Sequence, residues 1–176
     1  MSSGRKPGLR AMSDRICRPV VNPSFITNAL PQLAADARPD QWTMAAKAIM
    51  TTDTRPKVVS RTVRTSSGPV IVAGMAKGAA MIGPNMATML SVVLTDARLD
   101  PAESQAMLKH AVDRSFNCIS VEGHMSTSDT VLLLANGAAQ PQPLTAADRE
   151  KFQQALNEVT ADLAQAIDRK STRLNS

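Results

Sequence analysis

The chain has 176 residues, 43% hydrophobic and 20% charged, which suffices for one globular domain with a buried core and is unlike a disordered tail. Its aromatic residues are Phe25, Trp42, Phe116 and Phe152, with no Tyr, too few for a platform that stacks single-stranded nucleic acid. The formal charge of +5 sits at the ends: residues 1–19 hold five Lys/Arg against one Asp, residues 168–176 three against one, and the middle 12 against 13, so a nucleic-acid or membrane surface would rest on the termini alone.

Residues 1–27 are rich in Arg, Ser and Pro without periodicity and read as a loose arm. Asn28 is placed to cap a short helix carrying Leu30, Leu33 and Ala37, with Pro31 in its first turn. Asp40 caps a second helix over QWTMAAKAIM (41–50), whose Trp42, Ala45, Ala46 and Ile49 share a face. KVVSRTVRT (57–65), a turn at SSGP and VIVAGMA (70–76) predict a hairpin. KGAAMIGPNMA (77–87) reads as a loop and TMLSVVLTD (88–96) as a strand. Asp100, Pro101 and Glu103 supply a cap, an N1 proline and an N3 carboxylate for a helix to about Ser115, burying Ala106, Met107, Ala111 and Val112. Cys118–Val121 reads as a short strand, STSD (126–129) as a polar loop and TVLLLA (130–135) as a fully buried strand. Thr145 and Asp148 begin a long helix to about Ile167, with Phe152, Leu156, Val159 and Leu163 inward. This order implies a layered α/β fold.

Cys17 and Cys118 are lone thiols, and with only His110 and His124 beside them no zinc spacing emerges, so a reducing cytosol fits best. No apolar run approaches a membrane span, and the N-terminus lacks the apolar core of a secretory leader.

Four features carry possible chemistry: TTDT (51–54), Lys77 in GMAKG, PNMAT (84–88) leading into a hydroxyl at a strand mouth, and TSD (127–129). GMAKG lacks the GxxxxGK[ST] spacing of a phosphate loop. From the residues alone, Thr88 reads as a strand threonine, Lys77 as a solvated loop lysine and Thr54 as a turn cap, while Thr127, Ser128 and Asp129 read either as residues supporting a site from behind or as an Asx-type turn, the turn being favoured. Met75, Met81, Met86 and Met89 read as adaptable packing, Cys118 as a buried small hydrophobe and His124 as a surface histidine.

KGAAMIGPNMATMLSVVLTDA (77–97) resembles the self-cleavage segment of the ornithine acetyltransferases, the bifunctional glutamate N-acetyltransferases of arginine biosynthesis. AAKAIMTTDTRPK (45–57) and ISVEGHMSTSDTVLLLANG (119–137) are similar to that family at matching spacing, and the resemblance spans residues 28–167, the central part of the acyltransferase domain. It implies an α/β fold with layered sheets covered by helices, of the self-processing N-terminal-threonine type and incomplete here. It implies a cut between Ala87 and Thr88, with Thr88 as nucleophile and with Thr54, Lys77 and Thr88 as substrate-binding positions. The small Ala87 leaves its carbonyl accessible, and Pro84 restricts the approach to it. The implied reaction moves acetyl from N-acetylornithine to glutamate through an acetyl-threonine. No metal or organic cofactor is implied, and acetyl-coenzyme A serves some members as donor. The implied assembly is a cytoplasmic heterotetramer of two alpha and two beta chains, without nucleic acid or membrane.

The match stops short at both ends. Residues 1–27 hold no counterpart of the family's oxyanion-hole Thr-Gly pair, and DRKSTRLNS (168–176) reads as a foreign tail where a family glutamate is expected near 172. The C-terminal third with its substrate-binding Asn and Ser/Thr is not in the chain. One lost oxyanion donor costs about 10²–10³ in rate, so no measurable acetyltransferase activity is expected of this chain alone. An aminopeptidase of the same fold and an inactive fragment are the alternatives.

Overall fold

A computed structural model describes residues 23–51, 53–78, 89–119 and 128–174. The chain divides into two units, Met1–Pro39 and Asp40–Ser176. In the first, α1 (Pro23–Ala35) begins ahead of the expected cap Asn28 and ends short of Ala37. The fixed φ of proline suits a first helical turn, so Pro23 opens the helix and Asn28 becomes an interior residue. Pro31 consequently lies inside the helix rather than in its first turn, where it supplies no N–H to the ladder. Asp36 N donates to Gln32 O at 2.9 Å, and Gln32 Nε2 donates to Asp36 Oδ2 at 2.9 Å, closing the end.

The second unit is built on one four-stranded mixed sheet in the order β1-β2-β3-β4. Helix α2 (Trp42–Ala48) precedes it and packs against β1 and β2. Its cap position is Gln41, without a side-chain cap bond, and not Asp40, which lies in a 3-10 turn (Pro39–Gln41). Of the four residues expected inward, Ala46 is buried, Trp42 and Ile49 are half-buried and Ala45 is exposed. Strands β1 (Lys57–Thr65) and β2 (Gly68–Lys77) form the expected hairpin, antiparallel from Lys57↔Ala76 to Thr65↔Gly68. β2 is longer than expected at both ends. Gly68, at φ +125°, takes the chain out of the turn, and Lys77 is the last strand residue rather than a loop residue.

β2 pairs antiparallel with β3 (Leu90–Thr95), and β3 pairs parallel with β4 (Thr130–Ala135). Parallel neighbours require a crossover, which α3 (Pro101–Asp113) provides. Its start is as expected: Asp100 Oδ1 accepts from Ala102 N at 2.9 Å and Pro101 follows. Ala111 is buried, Met107 and Val112 pack against the core, and Ala106 is exposed. The strand expected at Cys118–Val121 is not formed by its described residues. Phe116–Cys118 make a 3-10 turn and Ile119 is extended. Cys118 is therefore exposed, with Sγ donating to Asp113 O at 3.3 Å, and is no core hydrophobe.

Alternation along the strands turns Val70, Val72 and Val93 toward α4 (Ala146–Leu174), which supplies Phe152, Leu156, Val159, Leu163 and Ile167, all buried. The helix face is the one expected, although the helix runs past Ile167 to Leu174. A Cβ built on Gly74 would stand 2.7 Å from Leu163 Cδ1 and 2.8 Å from Val159 Cγ1, so β2 crosses α4 where only glycine fits. Thr145 Oγ1 accepts from Asp148 N at 3.3 Å, starting α4. Asp148 also accepts from Ser66 N at 3.1 Å and Ser66 Oγ at 2.6 Å, fastening the hairpin turn to the helix. β4 was expected to be fully buried. It lies at an edge of the sheet, and Leu132 and Leu134, on the face opposite α4, are exposed.

Candidate functional site

The site is the end of the sheet where Lys77 of β2, Leu90 of β3 and Thr130 of β4 share one cross-strand row. Three segments converge there: the polar residues after α2, the glycine after β2, and the chain entering β3. A buried ion pair ties the first two. Lys57 Nζ donates to Asp53 Oδ1 and, at 3.0 Å, to the carbonyl of Gly78, while Gly78 N donates to the same Asp53 oxygen at 3.2 Å. The two side chains are 4% and 0% exposed, so the charges compensate each other away from water. Burial pushes the Asp53 carboxyl up. The hydrogen bond from Lys57, the Gly78 amide, the Lys57 charge and the Thr51 amide outweigh that and hold it below its ordinary value. Among the described residues, no hydrogen-bond partner is placed on the buried Asp53 Oδ2.

Gly78 sits at φ +155°, which suits a residue without Cβ, and a Cβ built there would be 3.8 Å from Met89 Cα and 3.7 Å from Ile167. The glycine thus brings the Asp53–Lys57 pair up to the chain entering β3. Met89 is held from the other side. Its N–H donates to Asp129 Oδ1 at 2.7 Å and its carbonyl accepts from Thr130 N at 3.0 Å.

Each candidate residue can now be placed. Thr54 follows Asp53 and is exposed; Lys77 precedes Gly78, ends β2 and is half-buried. Each therefore stands one residue from the Asp53–Gly78 hydrogen bond, which draws their segments together. Ala87 and Thr88 lie outside the described residues, as do Pro84, Met81, Met86, His124 and Thr127. Met75 is buried and Met89 packs against the core, as expected for packing residues. Asp129 is not merely a local turn former, because its carboxylate reaches across to Met89. Lys57 was not singled out in the sequence. The four-residue spacing of Asp53 and Lys57 between a helix end and a strand start was the signal that could have found it. Among the described residues, no group of three His, Cys, Asp or Glu side chains is placed to hold a metal ion, and no helix is long and apolar enough to cross a membrane.

By architecture this is an α/β domain whose polar centre lies at one end of a mixed sheet. The chain belongs to the ArgJ family, whose profile matches residues 17–172. It is 48% identical over 149 residues to the arginine biosynthesis bifunctional protein ArgJ, mitochondrial, of Neurospora crassa, covering 81% of this chain and 32% of that protein. It is 48% identical over 144 residues to the arginine biosynthesis bifunctional protein ArgJ of Methylococcus capsulatus, covering 81% and 35%. Against the protein of that name from Bradyrhizobium diazoefficiens it is 49% identical over 146 residues, covering 80% and 35%. The chain spans about a third of the length of these relatives.

Proposed function

We propose that this chain is the self-processing segment of an amino-acid N-acetyltransferase of arginine biosynthesis, and that Thr88 is its nucleophile. Family membership supports the reading. The observation that carries it is the convergence at one sheet end of Gly78, the Asp53–Lys57 pair, whose Asp53 belongs to the TTDT segment, and Met89, the residue that follows Thr88. In the proposed cut, Thr88 Oγ attacks the Ala87 carbonyl carbon. The C–N bond between them breaks as the C–O bond forms, and the hydroxyl proton passes to the departing nitrogen. Water then hydrolyses the ester, leaving the Ala87 carboxylate and a free Thr88 hydroxyl beside its own α-amine, which serves as base.

In the assembled protein Thr88 takes acetyl from N-acetylornithine, releases ornithine and passes the acetyl to glutamate. Thr54 and Lys77 flank the bound amino acid. The chemistry is ester exchange and draws on no metal or organic cofactor, with acetyl-coenzyme A as an alternative acetyl donor. The remaining parts of a full-length relative would supply the oxyanion donors and the other substrate contacts. The working assembly is then a heterotetramer of two alpha and two beta chains with an N-terminal-threonine fold, in a cytoplasm that keeps Cys118 reduced.

The test is a chimera in which residues 17–172 replace the matching segment of the Methylococcus capsulatus protein, assayed with N-acetylornithine with and without glutamate. Acetylglutamate formation, abolished by Thr88→Ala, is the expected result. Ornithine release indifferent to glutamate would favour a hydrolase such as an aminopeptidase, and a cleaved but inert chimera would overturn the transfer reaction.

A further inference from the structure

β4 ends the sheet, and among the described residues no strand lies on its outer side. Its pairing with β3 decides which of its backbone groups are left over. Thr130 N donates to Met89 O at 3.0 Å and Asn136 N to Thr95 O at 3.2 Å, so the even-numbered residues turn their amides toward β3. Val131, Leu133 and Ala135 then offer their N–H and C=O groups outward. The strand TVLLLA carries no charge and no proline to discourage another strand from adding there. The opposite edge is guarded: β1 carries Lys57, Arg61 and Arg64, and Arg61 Nη1 donates to the Ser60 carbonyl at 2.9 Å. On the face of β4 away from α4, Leu132 is 44% and Leu134 54% exposed.

The partner whose pattern fits this edge is a second copy of the chain. A two-fold axis perpendicular to the sheet runs two copies of β4 antiparallel, and the register must keep paired side chains on one face. Centred on Leu133, the pairing joins Leu133 to Leu133, Val131 to Ala135 and Ala135 to Val131, so every outward group meets another, two hydrogen bonds to a pair. A centre at Leu132 would instead leave Ala135 opposite Asp129. The Leu133 register also sets Leu132 of each copy beside Leu134 of the other, gathering the exposed leucines. Charge agrees with it. Asp129 of one copy falls opposite Gly137 of the other, and a Cβ built on Gly137 would be 3.4 Å from Arg98 Cβ, so the exposed carboxylate meets the stem of an exposed arginine at each end. Arg98 is held at that place by Nη1 donating to Pro141 O. We propose that β4 is a self-pairing edge through which two copies of this chain form one continuous sheet, with both α4 helices on the same face. The proposal is independent of the reading of Thr88.

The experiment uses the 176-residue chain with Thr88→Ala, which keeps it in one piece, and measures its mass by sedimentation from about 1 µM to about 100 µM, the range suited to a small interface. Residue-resolved hydrogen exchange by mass spectrometry accompanies it at both ends of the range. Two variants probe the edge. Ala135→Pro removes an outward N–H without touching the β3 ladder, and Leu132→Lys sets an ammonium among the gathered leucines. The expected result is a mass rising with concentration from 18.7 kDa to twice that, with the amides of Val131, Leu133 and Ala135 slowed about tenfold or more at the high end. Both variants should stay at 18.7 kDa with the near-UV circular dichroism of the parent. A chain that remains monomeric throughout would overturn the proposal and leave this edge to another segment of the longer relatives. So would a dimer in which those three amides exchange as in the monomer, a readout that needs no variant to fold. A dimer that neither variant weakens, or growth beyond two copies, would equally contradict a two-fold pairing that closes on itself.

Discussion

Replacing Lys57 with methionine, in a Thr88→Ala background that keeps the chain in one piece, isolates the buried pair. Methionine matches the length of the lysine stem but brings no charge, so Asp53 stays behind at 0% side-chain exposure with one of its two donors to Oδ1 gone. Breaking a buried pair by removing one partner costs about 3–5 kcal/mol. The Gly78 amide still donates to Asp53 at 3.2 Å, which places the cost near the lower end, about 3 kcal/mol. Adding Asp53→Asn removes the stranded charge. What remains is the Gly78 carbonyl deprived of the Lys57 donor, about 1 kcal/mol. The double variant is therefore expected to be more stable than Lys57→Met alone.

Urea unfolding at pH 7 reads this as a midpoint shift at constant slope. The sign with pH is also fixed. In the natural chain Asp53 is held below its ordinary value, so its contribution is complete above about pH 4 and is lost as pH falls through the lower folded value. In Lys57→Met, burial without the cation raises the folded value, so the variant's deficit should shrink as pH is lowered toward 4. A deficit under about 1 kcal/mol at pH 7, or a double variant losing the sum of the two single losses, would refute the claim that these charges compensate each other out of water.

Gly74→Ala puts a methyl within 2.8 Å of Val159 Cγ1, a β-branched side chain stiff in a helix, and is expected to cost about 1–3 kcal/mol in urea unfolding. Asp148→Asn weakens the tie between the Ser66 turn and the start of α4. Hydrogen bonds from the Ser66 hydroxyl, the Thr145 hydroxyl and the Ser66 amide hold the Asp148 carboxyl well below the usual carboxylate range. Its stabilisation is therefore full above about pH 4 and drains as pH falls, so natural and variant chains should converge in thermal midpoint under acid. Asp100→Ala removes the cap of α3 and should cost about 1 kcal/mol, read as a lowered thermal midpoint.

The elements with strong local signals were legible. The hairpin's β-branched residues, the Asp100-Pro101 start of α3 and the inward stripe of α4 all have causes within a few residues of themselves. What periodicity could not give was context. β4 is as apolar as a central strand but lies at an edge, because the order of strands is a tertiary fact. Cys118 follows a helix end where a tight turn outcompetes extension, so an apolar neighbour did not bury it. At the site, TTDT and GMAKG were visible as separate polar segments. Their union depends on Lys57 lying across from Ala76, within reach of Gly78, a pairing set by hairpin register. The reach of Asp129 to Met89 depends likewise on β3 and β4 running parallel, with Leu90 opposite Thr130.

The central claim is that this segment cuts itself, and the most direct measurement is the intact mass of the purified chain under denaturing conditions beside Thr88→Ala. The account predicts two pieces of 87 and 89 residues, each near half of 18.7 kDa, with the second beginning at Thr88, and an uncut control. A single mass of 18.7 kDa in both samples would contradict it.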